Sequence, residues 1–374
     1  MSEIKLKIDE NDIAYSGWKE VRVTQSLNNI CGAFSFYTSE KYPENPQEWD
    51  LHLGKKCSIE IDDQTVLVGY IEDVNIDYDS EGHNIQVMGR DVTCDLVDCT
   101  YNGTSREWKK QSLGNIVKAI CNSFGITVKI ENSVSSICRE KVTDGTLTSA
   151  EGEMAYELIS RICKAKSILP VCYGDGFLTL TRAGTNGFAY DPIQLRYNVL
   201  SANAQLSNRE RFYKYIVKGT SVGIDEKDLW EIAGVKNNNI TDSKNIAAID
   251  SIIKRQNRVF TKIADGNVDI KTCNDLADWE KTTRAGNSRK YIYTLVDWTQ
   301  SDGNIWKLNS LVNVIDPMFN LKKNLLISDI EYSFSDNSGT TVNLTVVSKS
   351  TYNILQQKIT EKNSAFDMNE SEGQ

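Results

Sequence analysis

Alternation of apolar and polar residues dominates the first hundred positions. Val21 and Val23, then Phe34 and Phe36, alternate with polar neighbours on either side of the small-residue turn Cys31-Gly32-Ala33. A period of two puts successive side chains on opposite faces, so each run predicts a half-buried strand. The period recurs at Cys57, Ile59 and Ile61 before the turn Asp62-Asp63, and again at Val74, Ile76 and Tyr78. After Ser80-Glu81-Gly82, Ile85 and Val87 complete a hairpin with one wet and one buried face.

The period changes near residue 110. Ser112 is a good N-cap for Leu113, Ile116, Val117, Ile120 and Phe124 at helical spacing, and Gly125 ends the run. A short strand follows at Ile126, Val128 and Ile130. Thr148 and Glu151 then fit a capping box ahead of Met154, Leu158 and Ile162. Leu169 to Tyr173, the turn Gly174-Asp175-Gly176 and Phe177 to Thr181 predict a hairpin after that helix. Residues 105–194 therefore read as a separate small α+β domain.

Strand periodicity returns with Tyr213, Tyr215 and Val217. The polar stretch near 222–255, with Lys236-Asn237-Asn238-Asn239, predicts a surface excursion. A modest helical pattern surrounds Cys273, Leu276 and Ala277. Strands are expected at Tyr291–Val296, Leu311–Ile315, Leu325–Phe334 and Val342–Val347. Residues 359–374 are polar and predict a flexible tail.

The end of the chain restates its beginning. Ile71-Glu72-Asp73-Val74 matches Ile327-Ser328-Asp329-Ile330, an offset of 327 − 71 = 256. Val74, Ile76 and Tyr78 then fall on Ile330, Tyr332 and Phe334. With one residue added in the turn, Gly82 falls on Gly339, and Ile85 and Val87 fall on Val342 and Leu344. Upstream, Ile59 and Ile61 resemble Val312 and Val314. Both copies place an aromatic residue last before the turn, which predicts Tyr78 and Phe334 on the buried face. Two similar β-domains, 1–104 and 195–358, are expected to flank the α+β domain.

Chemistry narrows the function by elimination. The 374 residues carry a formal net charge of −9, against the basic face that wrapping nucleic acid requires. No apolar signal core follows the first residues and no run of about 18 apolar residues occurs, so a cytosolic product without a membrane anchor is expected. The nine cysteines include no C-x-x-C pair, the closest being Cys94 and Cys99, and predict reduced, mostly buried thiols. With only His52 and His83 in the chain, both read as solvated loop residues, no metal site is expected. The H-E-x-x-H and P-loop motifs are both missing.

Acidic groups are the remaining catalytic candidates. Glu151, Glu153 and Glu157 cluster near the second predicted helix, where a carboxylate pair for glycan cleavage is weighed against service to the helix dipole. Asp91, Asp95 and Asp98 suit a helix-like turn leaving the hairpin, solvated or capping. The seven tryptophans, Trp18, Trp49, Trp108, Trp230, Trp279, Trp298 and Trp306, are dispersed rather than arrayed as a carbohydrate platform. The expectation is no enzyme: no catalytic, cofactor-binding or metal-binding residues, and no cofactor.

The segment Gly89-Arg90-Asp91-Val92-Thr93-Cys94-Asp95-Leu96-Val97-Asp98-Cys99 resembles the "GRD-x-T-x-DL-x-DC" stretch of Mu-type phage tail baseplate hub proteins. The likeness continues through Ser16-Gly17-Trp18, Gly54-Lys55-Lys56, Gly69-Tyr70-Ile71, Trp108-Lys109, the Ser112 helix and Phe124 to Val128. Near the end, Trp298-Thr299, Asp302-Gly303 and Trp306 resemble the family's strand–turn–strand. It runs from about residue 10 to 355, with no counterpart for 225–255 or the tail.

The resemblance implies a mainly β fold with α+β character, two similar tube-like β-barrel domains flanking the small α+β domain. It implies a homotrimer of pseudo-sixfold symmetry that links the tail tube, or a tube initiator, to the central spike protein and lines a channel. Baseplate wedge proteins, and a tape measure protein, would be further partners, while DNA or effector would pass without specific binding. The implied location is the virion tail baseplate, reached from the host cytoplasm during assembly. Two alternatives stand beside this: the hub of a headless contractile injection particle, and a cell-wall glycan hydrolase or binding module using Glu151 and Glu157.

Overall fold

The computed structural model describes residues 3–9, 13–40, 52–78, 83–103, 105–141, 146–164, 166, 168–218, 247–263 and 270–352. The expected tail at 359–374, and most of the excursion expected near 222–255, lie outside them.

The first region is antiparallel β-structure: β1 (Ile4–Ile8), β2 (Ile13–Tyr15), β3 (Glu20–Ser26), β4 (Ala33–Glu40), β5 (Lys56–Ile61), β6 (Gln64–Tyr78) and β7 (His83–Asp91). Burial alternates along β1, β3, β5 and β7 as the period-two pattern predicts. Asp62 and Asp63, both at positive φ (47° and 61°), make the two-residue turn between β5 and β6. That backbone twist matches the flanking strands, which is why short polar residues sit there.

The middle region contains α1 (Cys94–Asp98), β8 (Glu107–Lys109), α2 (Leu113–Asn122), β9 (Thr127–Ile130) and α3 (Ser135–Arg139). Then come β10 (Thr146–Thr148), α4 (Ala155–Lys164), β11 (Leu169–Cys172) and β12 (Phe177–Thr181). Ser112 Oγ accepts from the Asn115 amide at 3.4 Å, and Gly125 ends α2 at φ +69°, as the sequence predicts. The expected Thr148–Glu151 capping box does not form, because Thr148 is held in β10. Glu153 performs the reach-back instead, accepting from the Ala150 amide at 2.9 Å. The sheet β11-β12-β9 packs its apolar face with Ile116, Ile120, Leu158 and Ile162 of α2 and α4 in a core of its own.

The last region comprises β13 (Ile193–Gln194), β14 (Val199–Leu206), β15 (Lys214–Lys218), β16 (Ala247–Ile249), β17 (Val259–Ile263) and α5 (Ile270–Asn287). It closes with β18 (Arg289–Val296), β19 (Leu311–Asp316), β20 (Leu321–Ser335) and β21 (Gly339–Val347). Helix α5 covers the small sheet β16-β15-β17 through Cys273, Leu276 and Ala277 against Tyr215 and Val217.

Two tube-like β-barrels do not form. One open 13-stranded sheet runs β14-β18-β21-β20-β3-β4-β7-β6-β5-β1-β2, with β19 on β20 and β13 on β19. The two β-regions merge because β20 outruns β19. Its distal half, Asp329 to Ser335, pairs antiparallel with β3 from Ser26 back to Glu20. That junction satisfies backbone groups which a separate barrel would have had to close on itself. The apolar faces merge as well, with Val23, Phe36 and Ile59 in the same core as Tyr293, Val312 and Leu344.

Inside this sheet the repeat is wider than the hairpin that revealed it. The strand order β3-β4-β7-β6-β5 is restated as β14-β18-β21-β20-β19. Each long strand has a bulge at the same place, between Ile71 and Asp73 and between Ile327 and Asp329. Pairing shifts the upstream match by two residues. Leu67 is opposite Ile59 and Lys323 is opposite Val314, so Ile59 corresponds to Val314 and Cys57 to Val312.

The predicted burial of the terminal aromatic holds in one copy only. Tyr332 is 1% exposed and Phe334 is half-buried against Trp298, their ring centroids 6.5 Å apart. Ile76 and Tyr78 are 58% and 76% exposed. The distal end of β6 runs past β5, and the second copy's cover of Trp298 and Trp306 has no equivalent over it among the described residues.

Candidate functional site

The face of the sheet opposite the core is polar, and its side chains are tied together across strands. Ser201 of β14 donates to Thr294 of β18 at 3.0 Å, and Thr294 to Asn343 of β21 at 2.7 Å. Asn343 Nδ2 donates to Glu331 Oε1 of β20 at 3.2 Å, and Arg22 Nε of β3 to Glu331 Oε2 at 2.8 Å. In the first copy, Gln86 donates to Ser35 at 3.3 Å and Tyr37 to Asn84 at 2.9 Å. Cross-strand pairs of this kind fix the relation of neighbouring strands. They make a hydrophilic surface tied together across strands.

The Gly89–Cys99 segment is a structural corner. Gly69 and Gly89 let β6 and β7 approach: a Cβ on Gly69 would lie 1.9 Å from the Arg90 carbonyl oxygen, and one on Gly89 would lie 2.0 Å from that of Tyr70. Arg90 grips Glu72 through Nε at 2.6 Å and Nη2 at 2.8 Å, and reaches Asp98 through Nη1 at 3.1 Å. The Arg90 hydrogen bonds hold the Asp98 carboxyl below the usual aspartate range.

Of the three aspartates, Asp95 and Asp98 are exposed as expected, and Asp91 is not. It is buried, accepting from the Gly32 amide, the Thr93 amide at 2.8 Å and the Thr93 hydroxyl at 2.5 Å. Burial pushes its carboxyl up, against the pull of those donors. Asp91 is a clamp between β3–β4 and the start of α1, not a proton donor in a cleft.

The other candidates disperse. Glu151 is exposed and pairs with Arg106, Glu153 is bound to Arg161 at 3.0 Å, and Glu157 is exposed on α4. Glu151 and Glu153 precede α4 and are each held in an ion pair, and Glu157 is in its first turn. A cleft beside α5 is lined by Lys281, Arg289 and Asp250, and Asp250 is already committed to Arg211 at 2.6 Å. His52 is exposed, and His83 opens β7. Trp18, Trp108, Trp298 and Trp306 are core residues and Trp279 is half-buried, while Trp49 and Trp230 lie outside the described residues. Eight cysteines are buried and Cys99 is exposed. No cluster of three metal-ligating side chains occurs among the described residues, and no described helix is long and apolar enough to cross a membrane.

Sequence reasoning missed the contacts that lock the middle region to the sheet. Gly174, at φ +78°, sits where a Cβ would be 1.8 Å from the Val66 carbonyl, and Gln25 Nε2 donates to Val66 O at 2.7 Å and Tyr173 O at 3.1 Å. Asn309, fully buried at φ 63°, accepts from the Gly184 amide at 2.7 Å and donates to Tyr173 Oη and Arg182 O at 3.0 Å. The turn glycine was visible in the sequence; the partner of its backbone was not.

This architecture, an extended hydrogen-bonded sheet with a docked α+β module, is shared with solved tail proteins. The tail protein of prophage MuSo2 from Shewanella oneidensis superposes with a TM-score of 0.79 at 28% identity, over 94% of this chain and 99% of that one. The tail protein from Neisseria meningitidis MC58 shares the fold with a TM-score of 0.75 at 15% identity, over the same shares. The baseplate hub protein gp44 of Escherichia phage Mu is 29% identical over 331 residues, 87% of this chain and 83% of gp44. Residues 3–91 match the model of the Mu phage baseplate assembly protein GpP-like N-terminal region, and 93–182 match the second domain of gp44-like baseplate hub proteins. Residues 270–354 match the fourth domain of Mu phage baseplate assembly protein GpP. The chain belongs to the Mu-phage-type baseplate hub family. Its role is structural, in the phage tail and baseplate, and not enzymatic.

Proposed function

We propose that three copies form a ring of pseudo-sixfold symmetry at the centre of the baseplate, joining the tail tube to the central spike. The observation that carries this reading is the repeat itself. One chain holds two β-units with matching strand order and matching bulges at positions 72 and 328. A threefold assembly of such chains presents six similar units, so it meets a threefold spike on one side and a sixfold tube on the other. The polar face from Ser201 to Arg22 would line the channel, where it offers DNA neither a basic track nor stacking aromatics.

In this reading the chain divides near 104 and 194, the middle module facing the wedge proteins on the outside of the ring. A tape measure protein would end at the tube side, and assembly would occur in the host cytoplasm before the finished tail. Mixing the purified chain with tube and spike proteins tests the proposal: co-sedimenting complexes with both are expected. A chain that binds neither would overturn it.

A further inference from the structure

Among the open backbone edges of the described sheet are two whose partners the internal repeat specifies. Strand β20 uses the edge away from β21 twice, its proximal half on β19 and its distal half on β3. Strand β6 uses the equivalent edge once. Its proximal half pairs with β5, while Asp73 to Tyr78 pair only with β7 among the described residues. The counterpart of β3 is β14, which among the described residues pairs only with β18. Unpaired edges invite another strand, and each half of this unmade junction lies in the same chain.

Register follows from the ladders. Val21 is opposite Phe36 and Phe36 opposite Val87, while Ala202 is opposite Tyr293 and Tyr293 opposite Leu344. Since Val87 corresponds to Leu344, Val21 corresponds to Ala202, an offset of 202 − 21 = 181. The same offset carries Val23 to Ala204, Gln25 to Leu206 and Ser26 to Ser207. The serines match in detail: Ser26 Oγ accepts from the Asn28 amide at 3.0 Å, and Ser207 Oγ from the Arg209 amide at 3.2 Å.

Resting on the ring reading above, we infer that Asp73–Tyr78 of one protomer pairs antiparallel with β14 of its partner, a second copy of this chain. The register places Ile76 opposite the partner's Ala204, Tyr78 opposite the partner's Ala202, and Val74 opposite the partner's Leu206. It repeats the internal rungs Tyr332–Val23, Phe334–Val21 and Ile330–Gln25. Asp329 accepts from Ser26 Oγ at 2.5 Å, and Asp73 meets the partner's Ser207 in the same way.

The exposure pattern fits. Ile76, Tyr78 and Leu206 are 58%, 76% and 64% exposed, on the strand face that is apolar core at the internal junction. Small Ala202 and Ala204 leave room for the larger side chains across from them, as in native cores where large and small residues alternate. Joining β6 to the partner's β14 three times closes the ring without a new kind of contact.

Disulfide trapping tests the register. In a Cys99→Ser background, Ile76→Cys with Ala204→Cys places two thiols on one rung, about 4.5–5.5 Å apart at Cα and within disulfide reach. Val74→Cys with Ala202→Cys lies four residues out of register, about 13 Å away, beyond reach. Circular dichroism of the reduced variants checks folding. Mild oxidation is expected to give disulfide-linked dimers and trimers with the first pair and none with the second. A trimer by light scattering in which the first pair does not cross-link, or the second does, overturns this inference and leaves the ring reading intact. A folded chain that stays monomeric overturns both.

Discussion

Arg22 and Glu331 lie 309 residues apart in the chain and meet on the polar face, Arg22 Nε donating to Glu331 Oε2 at 2.8 Å. The pair sits on the rungs where β3 joins β20, the place where two β-regions become one sheet. Its energetic weight is small, because Arg22 is 65% exposed and water screens the pair. Arg22→Ala is expected to cost about 0.2–1 kcal/mol in urea unfolding. A loss several times larger would mean that the ion pair, and not the apolar side of the junction, holds the halves together.

The core side should behave differently. Tyr332 is buried, and its hydroxyl donates to the Trp306 carbonyl at 2.5 Å. Tyr332→Ala should cost about 3–5 kcal/mol. Tyr78, the last aromatic of the first copy and the counterpart of Phe334, is exposed, so Tyr78→Ala in dilute solution should stay within about 0.5 kcal/mol of the parent. Comparable losses from both in denaturant melts would contradict the assigned burial.

Much of this was legible because strand and helix periods are written into the chain. The Ser112 cap, the Gly125 stop and the Asp62-Asp63 turn depend on local backbone needs, and they fall where the sequence places them. The repeat was visible through Ile71–Val74 and Ile327–Ile330 because the bulge and core need the same residue types twice. Three features were not legible. Alternation cannot tell whether a strand ends on itself or on a strand 300 positions away, so the β3–β20 junction was read as two closed units. Burial of Tyr78 was inferred by analogy with Phe334, although cover depends on Trp298 and Trp306, which the first copy lacks. Asp91 reads as one of three solvated or capping aspartates until the fold brings Gly32 against it and buries it.

Acid titration separates the two corner aspartates. Arg90 holds Asp98 below its unfolded value of about 3.9. Its stabilisation is therefore present above that pH and lost as pH falls through the lower folded value. Burial raises Asp91, so its contribution has the opposite sign: it is present below about 3.9 and declines as pH rises through the folded value. Carbon-detected NMR should show Asp98 titrating well below Asp91, and Arg90→Gln should bring Asp98 back toward the ordinary range. Coincident midpoints in the parent protein would contradict this arrangement.

Thiol chemistry reports on the packing of all three cores. Burial pushes Cys57 and Cys121 up to about 12 and Cys138 to about 11, which suppresses the reactive thiolate. Cys99 alone is exposed. An aromatic disulfide reagent should therefore modify one thiol quickly in the native protein and all nine after denaturation. Several fast native thiols would show that the buried clusters are open.

The central claim is the ring, and its most direct measurement is the mass and shape of the purified particle. Light scattering should give three times the 42.1 kDa chain mass, and negative-stain class averages should show a central hole with six similar lobes. A particle that remains at the single-chain mass at every concentration, with or without tube and spike proteins, would contradict the account.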